Sequence, residues 1–183
     1  FTYGNNDFHR IEEYETVFGP RNQVLTHGQT AFVLFHNCRT NYNDHAGVCT
    51  EEQWNWLETS LKQLRDSSTK HLFLAAHIPP PCHTGFHRGF FISEADTNRL
   101  NDLCSRYQVT ASFFGHLHQD AVYHSKHTEI IVTPSLNWNF TITAGRKDSK
   151  KTKYAKTKGG YYRIVHVHEN AIEHALYPLR LTR

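Results

Sequence analysis

Three short apolar runs constrain this chain more than any other feature of its sequence. Thr30 to Phe35, His71 to Ala76 and Val109 to Phe114 are too short for a packed helix and read as buried strands. Between the first two, Thr50 with Gln53 three residues on forms a capping box, and Glu51 and Glu52 face the positive end of the helix dipole. Trp54, Leu57, Leu61 and Leu64 then follow at spacings of three and four, which predicts a helix with one apolar face running to about Arg65 and stopped by Asp66-Ser67-Ser68. A second helix is expected from Ser93, with Asp96 in the box position and Leu100 and Leu103 turned inward. Strands alternating with helices define an α/β fold. Beyond Asp120 the texture turns to β, with runs at 121–124, 129–133, 161–168 and 171–177, and Glu169-Asn170 is a tight-turn site that predicts a hairpin between the last two.

At 183 residues the chain fits one domain with a substantial core. No apolar run approaches the roughly 18 residues of a membrane helix, and the N-terminus has neither the basic start nor the apolar stretch of a signal peptide. There is no Met, so Phe1 is not expected to be the true start. Net charge is only +3, and a nucleic-acid partner is not expected. Lys and Arg crowd the segment 146–158, which reads as a solvated loop between two strands in preference to an anion-binding surface. Four Cys without a C-x-x-C pair argue against a zinc knuckle; Cys38 and Cys49 flank a short polar loop that a disulfide could close. That possibility, with the glycosylation triplet Asn139-Phe140-Thr141, leans slightly towards a secreted or lumenal protein.

The fifteen His are the first sign of metal chemistry. His77 follows one apolar run, His116 and His118 follow another, and Asn5 follows Gly4 near the chain start. In α/β sheets the loops at the carboxyl ends of strands converge over one edge. Imidazoles and an amide oxygen gathered there suit a divalent cation of borderline softness. His36 and His71 read as structural residues, and of Trp54 and Trp56 one should face inward and one the surface.

These residues resemble blocks of the calcineurin-like metallophosphoesterase family. Gly4-Asn5-Asn6-Asp7 is similar to its G-N-H-[DE] block, His77-Ile78-Pro79-Pro80 to the block around its isolated His, and Gly115-His116-Leu117-His118 to its G-H-x-H block. Gln53-Trp54-Asn55-Trp56-Leu57 stands where the family places a Q-x-x-W-L helix. The details around His77 and Phe113 to Asp120 look closest to the acid sphingomyelinase-like and purple-acid-phosphatase-like branches. The resemblance implies a layered α/β/β/α sandwich whose N-terminal strands and ligand loops lie outside this sequence. It also implies hydrolysis of a phosphomonoester or phosphodiester by hydroxide activated on two divalent or trivalent transition-metal ions, zinc, iron or manganese. Asn5, His77 and His116 would hold one metal and His118 the other.

Two departures accompany the resemblance. The family's D-x-H and G-D-x-x-D blocks, which supply the remaining ligands, have no usable counterpart here; Asp7-Phe8-His9 spells D-x-H but follows directly on Asn5. The phosphoester site would therefore need an N-terminal segment of the same protein as its partner. Asn6 stands where the family has the His thought to protonate the leaving group or stabilise the transition state, and an amide supplies no proton at neutral pH. Asn6 can still donate a hydrogen bond to phosphate, and His83, His87 and Arg88 in the loop after His77 are candidates to substitute for the missing acid or to contact phosphate. The alternative is a degenerate, inactive fold serving as a binding or scaffold module.

Overall fold

The computed structural model describes residues 2–38, 45–82, 85–144 and 153–179. In chain order the helices are α1 (Ile11–Phe18), α2 (Glu51–Arg65) and α3 (Glu94–Arg106), with short 3-10 turns at Asn5–Arg10 and Arg88–Phe90. The strands are β1 (Gln23–His27), β2 (Thr30–Phe35), β3 (His71–Ala76), β4 (Ala111–Phe114), β5 (Ala121–Ser125), β6 (Thr128–Val132), β7 (Trp138–Ala144), β8 (Lys153–Lys158), β9 (Gly160–Val167) and β10 (Ile172–Leu179). Six of them form one sheet in the order β1-β2-β3-β4-β6-β5. β2, β3, β4 and β6 run parallel, and the antiparallel β1 and β5 form its edges. The α/β class read from the alternating runs is the class observed. Among the described residues no helix is long and apolar enough to cross a membrane.

Register explains the layering. Val33 pairs with Leu74 and Phe35 with Ala76, so these side chains share one face of the sheet. There they join Trp54, Leu57, Leu61 and Leu64 of α2 and Leu100 and Leu103 of α3 in a single buried core. The opposite face carries Phe73, Ala111 and Ile131, covered in part by Ile172 of the β9–β10 hairpin. The described residues thus build three layers: helices, the six-stranded sheet, and a β layer.

Polar contacts fix how the hairpin sits. Arg163 donates to Asp120 and, at 2.6 Å, to Nδ1 of His174. A guanidinium has no acceptor, so His174 is neutral and its Nε2–H donates to Glu129 at 3.2 Å. His71, whose imidazole Nε2 lies 3.1 Å from the Glu169 carbonyl, ties the hairpin turn to β3. Asp120 therefore serves the junction between the β layers.

The first helix cap is wired to the sheet through a histidine. Thr50 and Gln53 form the expected capping box, and the Gln53 amide donates at 2.9 Å to Nδ1 and at 2.9 Å to the carbonyl of His36. Protonation of Nδ1 would set donor against donor. Burial, helped by Arg21, accordingly lowers the His36 pKa from 6.5 to about 4. Because the folded value lies below the unfolded one, the unfolded chain binds the extra proton. The His36 contribution to stability is complete above pH 6.5 and is lost as pH falls towards about 4. In His36→Asn the amide oxygen takes the place of Nδ1 and does not titrate. Urea midpoints measured across that window are expected to fall less steeply in this variant than in wild type; an equal decline would place the acid sensitivity elsewhere.

Several expectations need correction. All four cysteines are free thiols, so no Cys38–Cys49 bridge closes the loop; burial raises both thiol pKa values, that of Cys49 to about 12. Asn139 is only 7% exposed, accepts from Ser135 N–H at 2.8 Å and donates to the Gly159 carbonyl at 2.7 Å. An amide so committed at the β7–β8 junction is not a glycan acceptor. Part of the basic segment is a strand, since Lys153–Lys158 pairs with β7 and Lys156 Nζ sits 3.9 Å above the Trp138 ring.

Candidate functional site

Asn5, His77, His116 and His118 come together at the carboxyl ends of β3 and β4, where a parallel sheet gathers its loops. The β ladder continues past β3 and β4 through the Gly115 N–H, which donates to the His77 carbonyl at 3.1 Å. Gly4 brings the N-terminal segment close: a Cβ there would stand 3.1 Å from His77 Cε1 and 3.2 Å from its Nδ1. The 3-10 turn that begins at Asn5 is started by the Asp7 carboxylate, which accepts from Gly4 N–H at 2.9 Å. The D-x-H Asp therefore does local capping work.

Across the gap, Asn5 Oδ1 lies 2.8 Å from His77 Nε2. The contact is a hydrogen bond in which His77 Nε2–H donates to the amide oxygen, and it sets an oxygen and an imidazole nitrogen side by side. The His77 and His116 rings meet edge-on at 5.1 Å between centroids. His116 Nε2 is buried and without a hydrogen-bond partner, while the ring makes a hydrogen bond to the His45 backbone, which by elimination uses Nδ1. A buried imidazole nitrogen left with its lone pair is costly unless something occupies it.

His118 repeats the pattern more loosely. Its Nδ1 is 2.9 Å from the Trp138 carbonyl, leaving Nε2 as the lone-pair nitrogen, and its ring packs at 4.1 Å from Trp138 and 5.7 Å from Phe140. Nδ1–H held by a backbone carbonyl is the usual outer contact of a metal-binding His. Between the two, Leu117 is fully buried and anchors the turn, and both flanking histidines adopt left-handed backbone, φ 66° and 51°.

Electrostatics keep these rings neutral, which is the form that binds metal. Burial lowers the His77 pKa to about 4, with the His118 charge adding to the effect. For His116 burial and then His77 lower it to about 3. His118 is lowered by burial, against the raising effect of the Trp138 carbonyl.

The remaining sequence candidates fare differently. Asn6 is exposed on the 3-10 turn. His83 lies outside the described residues. His87 is exposed and caps the 3-10 turn by accepting from Gly89 N–H at 3.2 Å, and Arg88 faces Glu94 at 3.6 Å. Sequence reasoning missed His45, a lone His in a polar loop, which stacks on Phe90 at 5.0 Å and stands 6.0 Å from the His116 ring. Among the described residues no three His, Cys, Asp or Glu side chains are close enough to hold a metal by themselves. Asn5, His77 and His116 bring one amide oxygen and two imidazoles to this edge, and His118 stands beside them.

No family model matches the chain, and no curated protein matches it. Among solved structures it is similar to a dimetal phosphatase from Danio rerio, at 18% identity and TM-score 0.39 over 48% of this chain and 27% of that one. It is also similar to GAP50, the anchor in the inner membrane complex of Plasmodium, at 16% identity and TM-score 0.46 over 88% of this chain and 54% of that one. A third is Vacuolar Protein Sorting 29 from Cryptosporidium parvum, at 13% identity and TM-score 0.22, covering 79% and 81%. The chain thus spans 27% and 54% of the length of the first two structures.

Proposed function

We propose that this chain carries one half of a metallophosphoesterase centre, with Asn5, His77 and His116 holding one transition-metal ion and His118 contributing to a second. The observation that carries the reading is the orphaned, buried Nε2 of His116 beside the 2.8 Å pair of Asn5 Oδ1 and His77 Nε2. A zinc, iron or manganese ion held there would supply Lewis acidity towards a phosphoryl oxygen and lower the pKa of water. The chain's own contribution is neutral, preoriented imidazoles: the His45 and Trp138 carbonyls fix the tautomers of His116 and His118. Asn6, exposed at the start of the same turn, would donate a hydrogen bond to a phosphate oxygen of a phosphomonoester or phosphodiester. His83 is the proposed acid for the leaving group, because Asn6 has no proton to give. The remaining ligands for the second ion would come from an N-terminal segment of the same protein.

A second reading, a metal-free binding module, is favoured by the amide at position 6 and by the lack, among the described residues, of three His, Cys, Asp or Glu side chains close enough to hold a metal. Metal analysis and phosphodiester turnover of the whole protein separate the two. Two bound transition metals with turnover are the expected result; metal-free protein that takes up neither zinc nor manganese would leave the module reading.

A further inference from the structure

His45, between β2 and α2, stands beside the same residues, although nothing in its sequence surroundings marks it. His45 touches two of the proposed ligands in two different ways. Its backbone makes the hydrogen bond to the His116 ring that leaves Nε2 free. Its own ring nitrogen Nδ1 lies 3.5 Å from Nδ2 of Asn5. Facing that amide nitrogen, Nδ1 of His45 is placed to accept from it. Nearly parallel stacking on Phe90, with 9° between the planes, holds the imidazole in that pose.

An Asn amide has two ends of almost equal shape, and only Oδ1 can serve as a metal ligand. What decides which end faces His77 is the set of partners on either side of the amide. An acceptor on the far side ties down Nδ2 and so commits Oδ1 to the site. We infer that His45 is a positioning residue of this centre, orienting the Asn5 amide through Nδ1 and the His116 imidazole through its backbone carbonyl. The inference rests on the metal-site reading above. His45 itself is exposed.

Two variants separate the acceptor from the ring. His45→Phe keeps the stack on Phe90 and removes Nδ1, while His45→Asn places an amide oxygen near the position of Nδ1 and removes the ring. Dissociation constants for zinc or manganese would be measured on the whole protein by competition with a chelator. The cobalt-substituted forms would be compared by their d–d absorption, and unfolding of the metal-free forms by circular dichroism. His45→Phe is expected to weaken metal binding by about 10–100-fold, the usual cost of losing an outer partner, and to shift the cobalt spectrum. His45→Asn is expected to restore affinity to near wild type, with the metal-free unfolding temperature alike in all three. Wild-type affinity in His45→Phe would overturn the assignment while leaving the metal site intact. Equal weakening in both variants would also overturn it, since the ring and not the acceptor would then matter. Absence of metal binding in wild type itself would remove the metal-site reading and this inference together.

Discussion

Replacing His116 by alanine is expected to abolish metal binding while leaving the metal-free fold nearly as stable as wild type. The two halves of that expectation have separate causes. Among the described residues His116 Nε2 is a buried nitrogen without a protein partner, as are His36 Nε2 and Arg163 Nε, and in the proposed site its removal would take away one metal donor. Loss of affinity should exceed the about 10–100-fold that an outer partner costs, and phosphoester turnover should go with it. In the metal-free protein the same nitrogen is a buried polar atom without a hydrogen bond, a defect worth about 1–3 kcal/mol. Its removal offsets the lost ring contacts with His77 and Phe90. Calorimetric titration with zinc or manganese, paired with urea unfolding in chelator, reads both quantities. A variant that binds metal as tightly as wild type would show that Nε2 is a structural orphan, and the site would have to be reassigned.

The largest effect on stability is expected at Trp54, in the core between α2 and the sheet. This residue is 2% exposed, packs at 5.5 Å from Phe35 of β2, and donates through Nε1 to Asp96 at 3.2 Å. Asp96 in turn accepts from Ser93 at the start of α3. One indole therefore joins the sheet, α2 and the cap of α3. Trp54→Ala should cost ~3–5 kcal/mol through lost burial and the cavity left behind. Trp54→Phe, which keeps most of the packing, should cost about 1 kcal/mol for the hydrogen bond. Equal midpoints for the two variants in urea would mean that α2 collapses onto the sheet without the indole, contrary to the packing described.

The elements legible in the sequence are those whose local chemistry and burial agree. In α2, the Thr50 box and the spacing of Trp54, Leu57, Leu61 and Leu64 both point the same way, and the observed helix has the expected cap and face. β2 and β3 are buried nearly throughout, so an apolar run is their whole signature. β1 leaves no such signature because it is an edge strand, with Val24 and Leu25 40% and 49% exposed. Helix α1 has Arg10 at its N-cap position, where it makes no side-chain cap, and buries only Tyr14. Strand β8 is masked by its lysines, which read as a solvated loop. At the candidate site, His77, His116 and His118 are visible because they sit just beyond the ends of β3 and β4. His45 reaches the site through tertiary packing alone, and the Asn139 triplet became a false lead because a buried amide and a glycosylated one look identical in sequence.

The left-handed turn at His116-Leu117-His118 has a consequence for how this protein can change over generations. Each non-glycine residue in that conformation costs roughly 1–2 kcal/mol that glycine would not. Against that backbone cost stand the ring contacts of His118 with Trp138 and of His116 with His77 and Phe90. A lineage that keeps imidazoles on either side of Leu117, at φ 66° and 51°, carries that backbone cost. Retention of both histidines across descendants would then record continued use of the site, and drift to glycine would record its retirement.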